Sequence, residues 1–137
     1  MIAIVDYGVG NLFSLRSSFA KIGADTVVTA DKDVIEKADK IILPGVGAFA
    51  DAAKKLKDTG LGEVVKTQAK QGKMIMGICL GMQLLFERSF EYGERQGLGL
   101  IKGDVVPIKG YVDASLKVPH IGWNGLFFPK KHFLFSL

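Results

Sequence analysis

Cys79 is the only cysteine in the chain, and it stands in IMGICLGMQLL with a glycine two residues away on either side, Gly77 and Gly81. A thiol becomes a strong nucleophile once it loses its proton. The apolar run over residues 73–78 reads as a strand and residues 80–88 read as a helix, so the pattern is strand, Gly-x-Cys-x-Gly, helix. This is the layout of a nucleophile elbow. Its sharp turn would drive side chains two positions before and after the nucleophile into each other, and glycine removes that collision. The turn would also set the sulfur at a helix N-terminus, where peptide dipoles favour thiolate, and leave the Leu80 N–H free to donate to an oxyanion. A lone cysteine is more often a small buried hydrophobe. The flanking glycines and the strand-to-helix position favour the nucleophile here.

A second glycine-rich turn, Pro44-Gly45-Val46-Gly47, follows the apolar run 40–43. Its glycines permit unusual dihedrals, so its peptide N–H groups can face a reacting carbonyl as a second oxyanion donor. A third, Gly8-Val9-Gly10-Asn11, follows the apolar run 1–5, and Asn11 can cap a helix.

These turns need elements to hold them. Residues 1–5, 26–29, 40–43 and 73–78 read as short apolar strands. Helical patterns occupy 12–22, 31–38, 48–59, 62–71 and 80–88, with a break at Gly60. Strands apolar on both faces and alternating with helices predict a parallel sheet covered on both sides: a flavodoxin-like, three-layer α/β sandwich. In such sheets chemistry gathers at the carboxyl ends of the strands, where all three turns would meet. Beyond Arg88, residues 89–100 are polar and glycine-rich, and 101–108 and 117–121 read as further β segments. Met74, Met76 and Met82 read as core filler around the elbow. Asp6 reads as a turn residue and Glu87 as a helix-surface residue.

At 137 residues the chain fits one domain, taken as 1–137. The net charge of +4 comes from scattered lysines such as Lys54, Lys55 and Lys57, without a basic stripe or interleaved aromatics, so no nucleic-acid partner is expected. No apolar run reaches the length of a membrane span, and MIAIVDYG lacks the basic region of a secretory signal. One cysteine cannot form an internal disulfide, so a cytoplasmic location is expected.

IMGICLGMQLLFE, IILPGVGAF and IVDYGVGNLFS together resemble the class I (triad) glutamine amidotransferases. With KVPHIGWN they resemble the branch formed by the glutaminase subunits of imidazole glycerol phosphate synthase, over residues 1 to about 135. The resemblance implies a heterodimer in histidine biosynthesis. One subunit hydrolyses L-glutamine, and the ammonia passes to a cyclase subunit, a (β/α)8 barrel. It implies that Cys79 attacks the glutamine amide and that the Val46 and Leu80 N–H groups hold the oxyanion. Gly45, Gly47 and Gln83 complete the glutamine site, while Gly10, Asn11, His120, Trp123 and Asn124 lie toward the partner. It implies no metal and no organic cofactor.

A cysteine of this kind needs a histidine to manage protons and a carboxylate to orient it. The family carries both in a His-Pro-Glu segment downstream of the Trp-Asn motif. This sequence contains no His-x-Glu; its histidines are His120, in a different motif, and His132, in PKKHFLF. The chain is therefore expected to be C-terminally incomplete, lacking the last strands of the sheet and inactive alone. An open sheet edge and the apolar FFPKKHFLFSL would then favour association. Two rivals remain. A cysteine hydrolase of the PfpI type would place its histidine soon after the elbow, and residues 80–88 contain none. The other rival is a non-catalytic module that only docks on the cyclase.

Overall fold

The computed structural model describes residues 1–130. The chain divides into two compact units, Met1–Pro107 and Ile108–Leu137.

In the first unit, β1 (Ile2–Val5), β2 (Thr26–Thr29), β3 (Lys40–Leu43) and β4 (Met74–Gly77) form a parallel sheet in the order β2-β1-β3-β4. Helix α1 (Leu12–Lys21) joins β1 to β2, and α2 (Lys32–Lys37) joins β2 to β3. The pair α3 (Phe49–Thr59) and α4 (Leu61–Lys70) joins β3 to β4. The path runs one way from β1 to β2 and the opposite way thereafter. Right-handed crossovers therefore put α1 on one face and α2, α3 and α4 on the other. The three-layer, flavodoxin-like α/β architecture follows.

Local signals set the element ends. Asn11 Oδ1 accepts from the Ser14 N–H at 3.1 Å to start α1, and Gly23, at φ 71°, follows its end. Asp31 caps α2 through the Asp33 N–H at 2.9 Å. Gly60, also at φ 71°, both closes α3 and opens α4, which is the break read at that position.

The two faces of the sheet are unequally covered. Ala3, Val5, Ile41 and Leu43 point toward α2, α3 and α4 and join Ile35, Phe49, Leu56, Leu61 and Val65 in the core. Ile4 and Ile42 point the other way and are buried too, but none of the residues of α1 is. Leu12, Leu15 and Phe19 are half-buried there, and Ile22 is exposed.

The methionines expected in the core are not in it. Met74, Met76 and Met82 are 48%, 55% and 42% exposed. Met74 and Met76 align with Lys40 and Ile42 on the α1 face of edge strand β4. Helix α1 packs chiefly on β2, at the opposite edge of the sheet.

The helix expected over 80–88 is also shorter. Helix α5 (Leu80–Leu84) has five residues, and the chain then enters strand β5 (Phe86–Ser89). The Leu84 carbonyl accepts from the Leu98 N–H at 2.8 Å, and the Leu85 carbonyl accepts from Leu100 and Ile101 at 2.8 and 2.9 Å. The acceptors that would propagate the helix are thus taken by residues 98–101. Strand β5 pairs antiparallel with β6 (Arg95–Gln96) and parallel with β7 (Ile101–Val105), forming a second sheet. Glu87 is accordingly a strand residue rather than a helix one; its carboxylate accepts from the Gly103 N–H at 2.9 Å.

The β segment expected over 101–108 stops at Val105, before Pro107, which has no N–H to pair. In the second unit Ile108–Gly110 is one 3-10 turn. The strand expected over 117–121 is absent among the described residues; Pro119 breaks the donor row and no strand pairs with it. The apolar tail FFPKKHFLFSL lies partly outside the described residues.

Unequal coverage predicts unequal sensitivity. Ile41→Ala, in the covered face, should cost about 2–5 kcal/mol of stability, whereas Met76→Ala should stay within about 1 kcal/mol. Urea unfolding of the two variants checks the contrast.

Candidate active site

Strands β1, β3 and β4 are neighbours and parallel, so the turns that follow them share one edge of the sheet. The crossovers reverse direction between β1 and β3, which is where open α/β sheets place their sites.

Cys79 sits at φ 54° and ψ −118°, a conformation costly for any residue with a Cβ. Bonds on either side hold it. The Ile78 N–H donates to the Leu43 carbonyl at 3.0 Å, the Gly81 N–H to the Ile78 carbonyl at 3.0 Å, and the Met82 N–H to the Cys79 carbonyl at 2.9 Å. The cysteine is exposed and not part of the core. Gly77 is needed for the reason read from the spacing. A Cβ on Gly77 would stand 2.5 Å from Met82 Cα and 2.7 Å from the Gly81 carbonyl oxygen.

Gly81 has a different task. A Cβ there would stand 1.9 Å from the Leu43 carbonyl oxygen, and one on Gly45 would stand 2.5 Å from the Gly81 nitrogen. The turn after β3 and the elbow after β4 therefore lie backbone against backbone. Pro44 and Gly45 are buried, while Val46 and Gly47 are exposed, with Gly47 at φ 87°. Neither the Val46 nor the Leu80 N–H donates a hydrogen bond among the described residues. Both remain available to an oxygen arriving beside the sulfur.

Cys79, Ile78, Gly45, Val46 and Asn11 line one cavity of about 170 Å³. Three further residues of α1 line it: Ser14, Leu15 and Ser18. They escaped the sequence reading, although positions 11, 14, 15 and 18 have the spacing of one helix face, a usable signal. Gly10 borders the site through Pro44, since a Cβ on it would come within 3.0 Å of Pro44 Cβ. Leu80 is buried beside Gly45. Gln83, half-buried, lies one turn along α5, its N–H donating to the Cys79 carbonyl at 3.2 Å. Gly47 and Gln83 do not line the cavity.

Two more residues were missed. The Tyr7 hydroxyl donates to the Pro44 carbonyl at 2.6 Å from within the core. Glu91 accepts from the Phe49 N–H at 2.7 Å and so caps α3, whose N-cap residue Ala48 offers no side chain for the purpose. Nothing in the spacing announced either contact. Asp6 is the turn residue expected, accepting from the Gly8 N–H at 3.0 Å.

Helix α5, with five residues rather than nine, aligns fewer peptide dipoles behind the sulfur than its sequence promised. The first unit contains no histidine. In the second unit His120 Nε2 and Asn124 Nδ2 lie 2.7 Å apart, and Trp123 is fully exposed. His132 lies outside the described residues. Among the described residues no cluster of His, Cys, Asp or Glu could hold a metal, and no helix is long and apolar enough to cross a membrane.

The doubly wound α/β sheet carries a strained cysteine elbow against a glycine turn, the arrangement of a glutamine amidotransferase-like domain. Residues 3–112 match the CobB/CobQ-like glutamine amidotransferase domain, and the chain belongs to that family. It is 55% identical to the imidazole glycerol phosphate synthase subunit HisH of Sulfurimonas denitrificans, over 99% of this chain and 66% of that protein. It is 51% identical to HisH of Lactococcus lactis, over 91% of this chain and 60% of that protein. With HisH of Aquifex aeolicus the identity is 46%, over 93% and 60%. The chain thus spans about three-fifths to two-thirds of these relatives' length. A crystal structure of a glutamine amidotransferase superposes with a TM-score of 0.66 at 20% identity, covering 77% of this chain and 56% of that one; it shares the fold.

The close approach of the two turns yields a direct test. Gly81→Ala should destabilise the chain by about 1–3 kcal/mol, while Gly110→Ala, with nothing within 4 Å of its Cβ position, should stay within about 0.5 kcal/mol. Denaturation midpoints of the two variants decide it.

Proposed function

We propose that the chain carries the nucleophile and oxyanion turn of a glutaminase centre. On this reading it is part of one amidotransferase domain that includes residues 1–137 and belongs to an imidazole glycerol phosphate synthase. The observation that carries the proposal is Cys79, strained and exposed, in one cavity with Gly45 and Val46.

The Cys79 thiolate adds to the side-chain amide carbon of L-glutamine. A C–S bond forms, and the carbonyl electron pair moves onto oxygen, where the Val46 and Leu80 N–H groups receive it. When the tetrahedral adduct collapses, the C–N bond breaks and the nitrogen leaves as ammonia after taking up a proton. The remaining thioester is hydrolysed by water to glutamate and free thiol. Gly47 and Gln83, which do not line the cavity itself, help to hold the glutamine.

The proton transfers need a base that residues 1–107 do not contain, since a histidine is absent from them. In the assembled enzyme the ammonia passes to a cyclase subunit, a (β/α)8 barrel, in a cytoplasmic heterodimer with overall lyase activity. Gly10, Asn11, His120, Trp123 and Asn124 face that subunit; the full exposure of Trp123 supports a contact role. No metal or organic cofactor takes part.

Two measurements check this reading. A chloroketone analogue of glutamine should label Cys79 with saturation kinetics, at least about tenfold faster than it labels a free thiol; labelling at the free-thiol rate returns the chain to a docking module. Ammonia release by the 137-residue polypeptide with the cyclase subunit present should stay at background. Release that disappears in Cys79→Ala would contradict the missing base.

A further inference from the structure

The geometry points to Tyr7 as a positioning residue whose hydroxyl, bonded to the Pro44 carbonyl, holds the 44–47 turn in the orientation that aims its amide at the oxyanion; this rests on the glutaminase reading of the site.

Pro44 is buried and has no N–H, so its carbonyl is the one backbone group through which hydrogen bonding can orient it. Tyr7 supplies the donor at 2.6 Å. Tyr7 is itself 3% exposed, and burial pushes its phenol up to about 12, so it keeps its proton across the physiological range. The Pro44–Gly45 peptide is planar, with its carbonyl and N–H on opposite sides. Holding the carbonyl therefore fixes the direction of the Gly45 N–H. Gly45 is pinned in turn against Gly81, where no Cβ fits. The next amide along is that of Val46.

The hydroxyl is held from a rigid base. The turn that carries Tyr7 is bonded on both sides of the Gly8 residue: its N–H donates to Asp6 Oδ1 at 3.0 Å, and its carbonyl accepts from Lys55 Nζ, on α3, at 3.0 Å. On the other side of Pro44, Gly10 leaves room for the proline ring. The turn after β1 thus grips the first residue of the turn after β3 from two directions. Without the hydroxyl the buried Pro44 carbonyl would lose its donor, and rotating the peptide toward another would relieve that cost. That rotation turns the amides downstream.

The test is Tyr7→Phe in the full chain, which keeps the ring in the core. Amide exchange at Gly45, Val46 and Gly47 should rise about tenfold or more, while exchange in β1 and β3 is unchanged. With the chloroketone analogue, the limiting rate of Cys79 inactivation should fall about tenfold, a part of the roughly hundredfold loss that follows outright removal of such a donor. The half-saturating concentration and the rate of iodoacetamide alkylation should not move. Wild-type exchange rates in the turn overturn the proposal, and so does faster exchange with an unaltered limiting rate. Failure of the glutaminase reading looks different: the wild-type chain then shows no saturation with the analogue, and the catalytic part of Tyr7's role falls with it.

Discussion

The site depends on one contact without side chains. The backbone of the turn after β3 touches the backbone of the elbow after β4, at Gly45 and Gly81, closer than any Cβ allows. This approach brings Cys79 and Val46 to the lining of a single cavity. It also lets the Ile78 N–H reach the Leu43 carbonyl, one of the bonds that hold Cys79 in its strained dihedrals. Strain of this kind persists only where neighbours over-determine the conformation. Here they do so through backbone bonds on both sides of the residue.

The rest of the first unit serves to bring those two turns together. Parallel pairing of β1, β3 and β4 puts their carboxyl ends side by side. The heavily packed face, with α2, α3 and α4, supplies the rigidity. Residues beyond α5 brace the elbow from behind: the 98–101 segment takes the Leu84 and Leu85 carbonyls, and Glu91 caps α3 just after Gly47. The face carrying α1 is the more open one, with Met74 and Met76 at its margin.

On the proposed reading the unit holds half of a mechanism. Its exposed Cys79 would be the nucleophile, and the unengaged Val46 and Leu80 amides would stabilise developing negative charge. Moving protons requires a titrating group poised near neutrality, and residues 1–107 offer no histidine for it. The chain belongs to the CobB/CobQ-like glutamine amidotransferase family and spans about three-fifths to two-thirds of the HisH relatives it matches.

Much of this was legible in the residues alone. Alternating short apolar runs and helical patterns specified the four parallel strands, and Asn11 and Gly60 marked element ends that the structure keeps. The Gly-x-Cys-x-Gly spacing specified the elbow through a local steric demand at Gly77, where a Cβ would collide with its own turn at Gly81 and Met82; the demand at Gly81 comes from Leu43 and Pro44, far away in the chain. What the sequence could not determine were contacts between segments far apart in the chain. Helix α5 stops early because residues 98–101 claim its carbonyls, a competition that helix-forming preference within 80–88 does not register. Met74 and Met76 are apolar by type but exposed, because burial depends on what covers a strand rather than on the strand itself. The Tyr7 bond to Pro44 spans 37 residues and that of Glu91 to Phe49 spans 42. Short-range sterics and periodicity are written into neighbouring residues; hydrogen bonds between distant segments exist only once the chain has folded and brought donor and acceptor within reach.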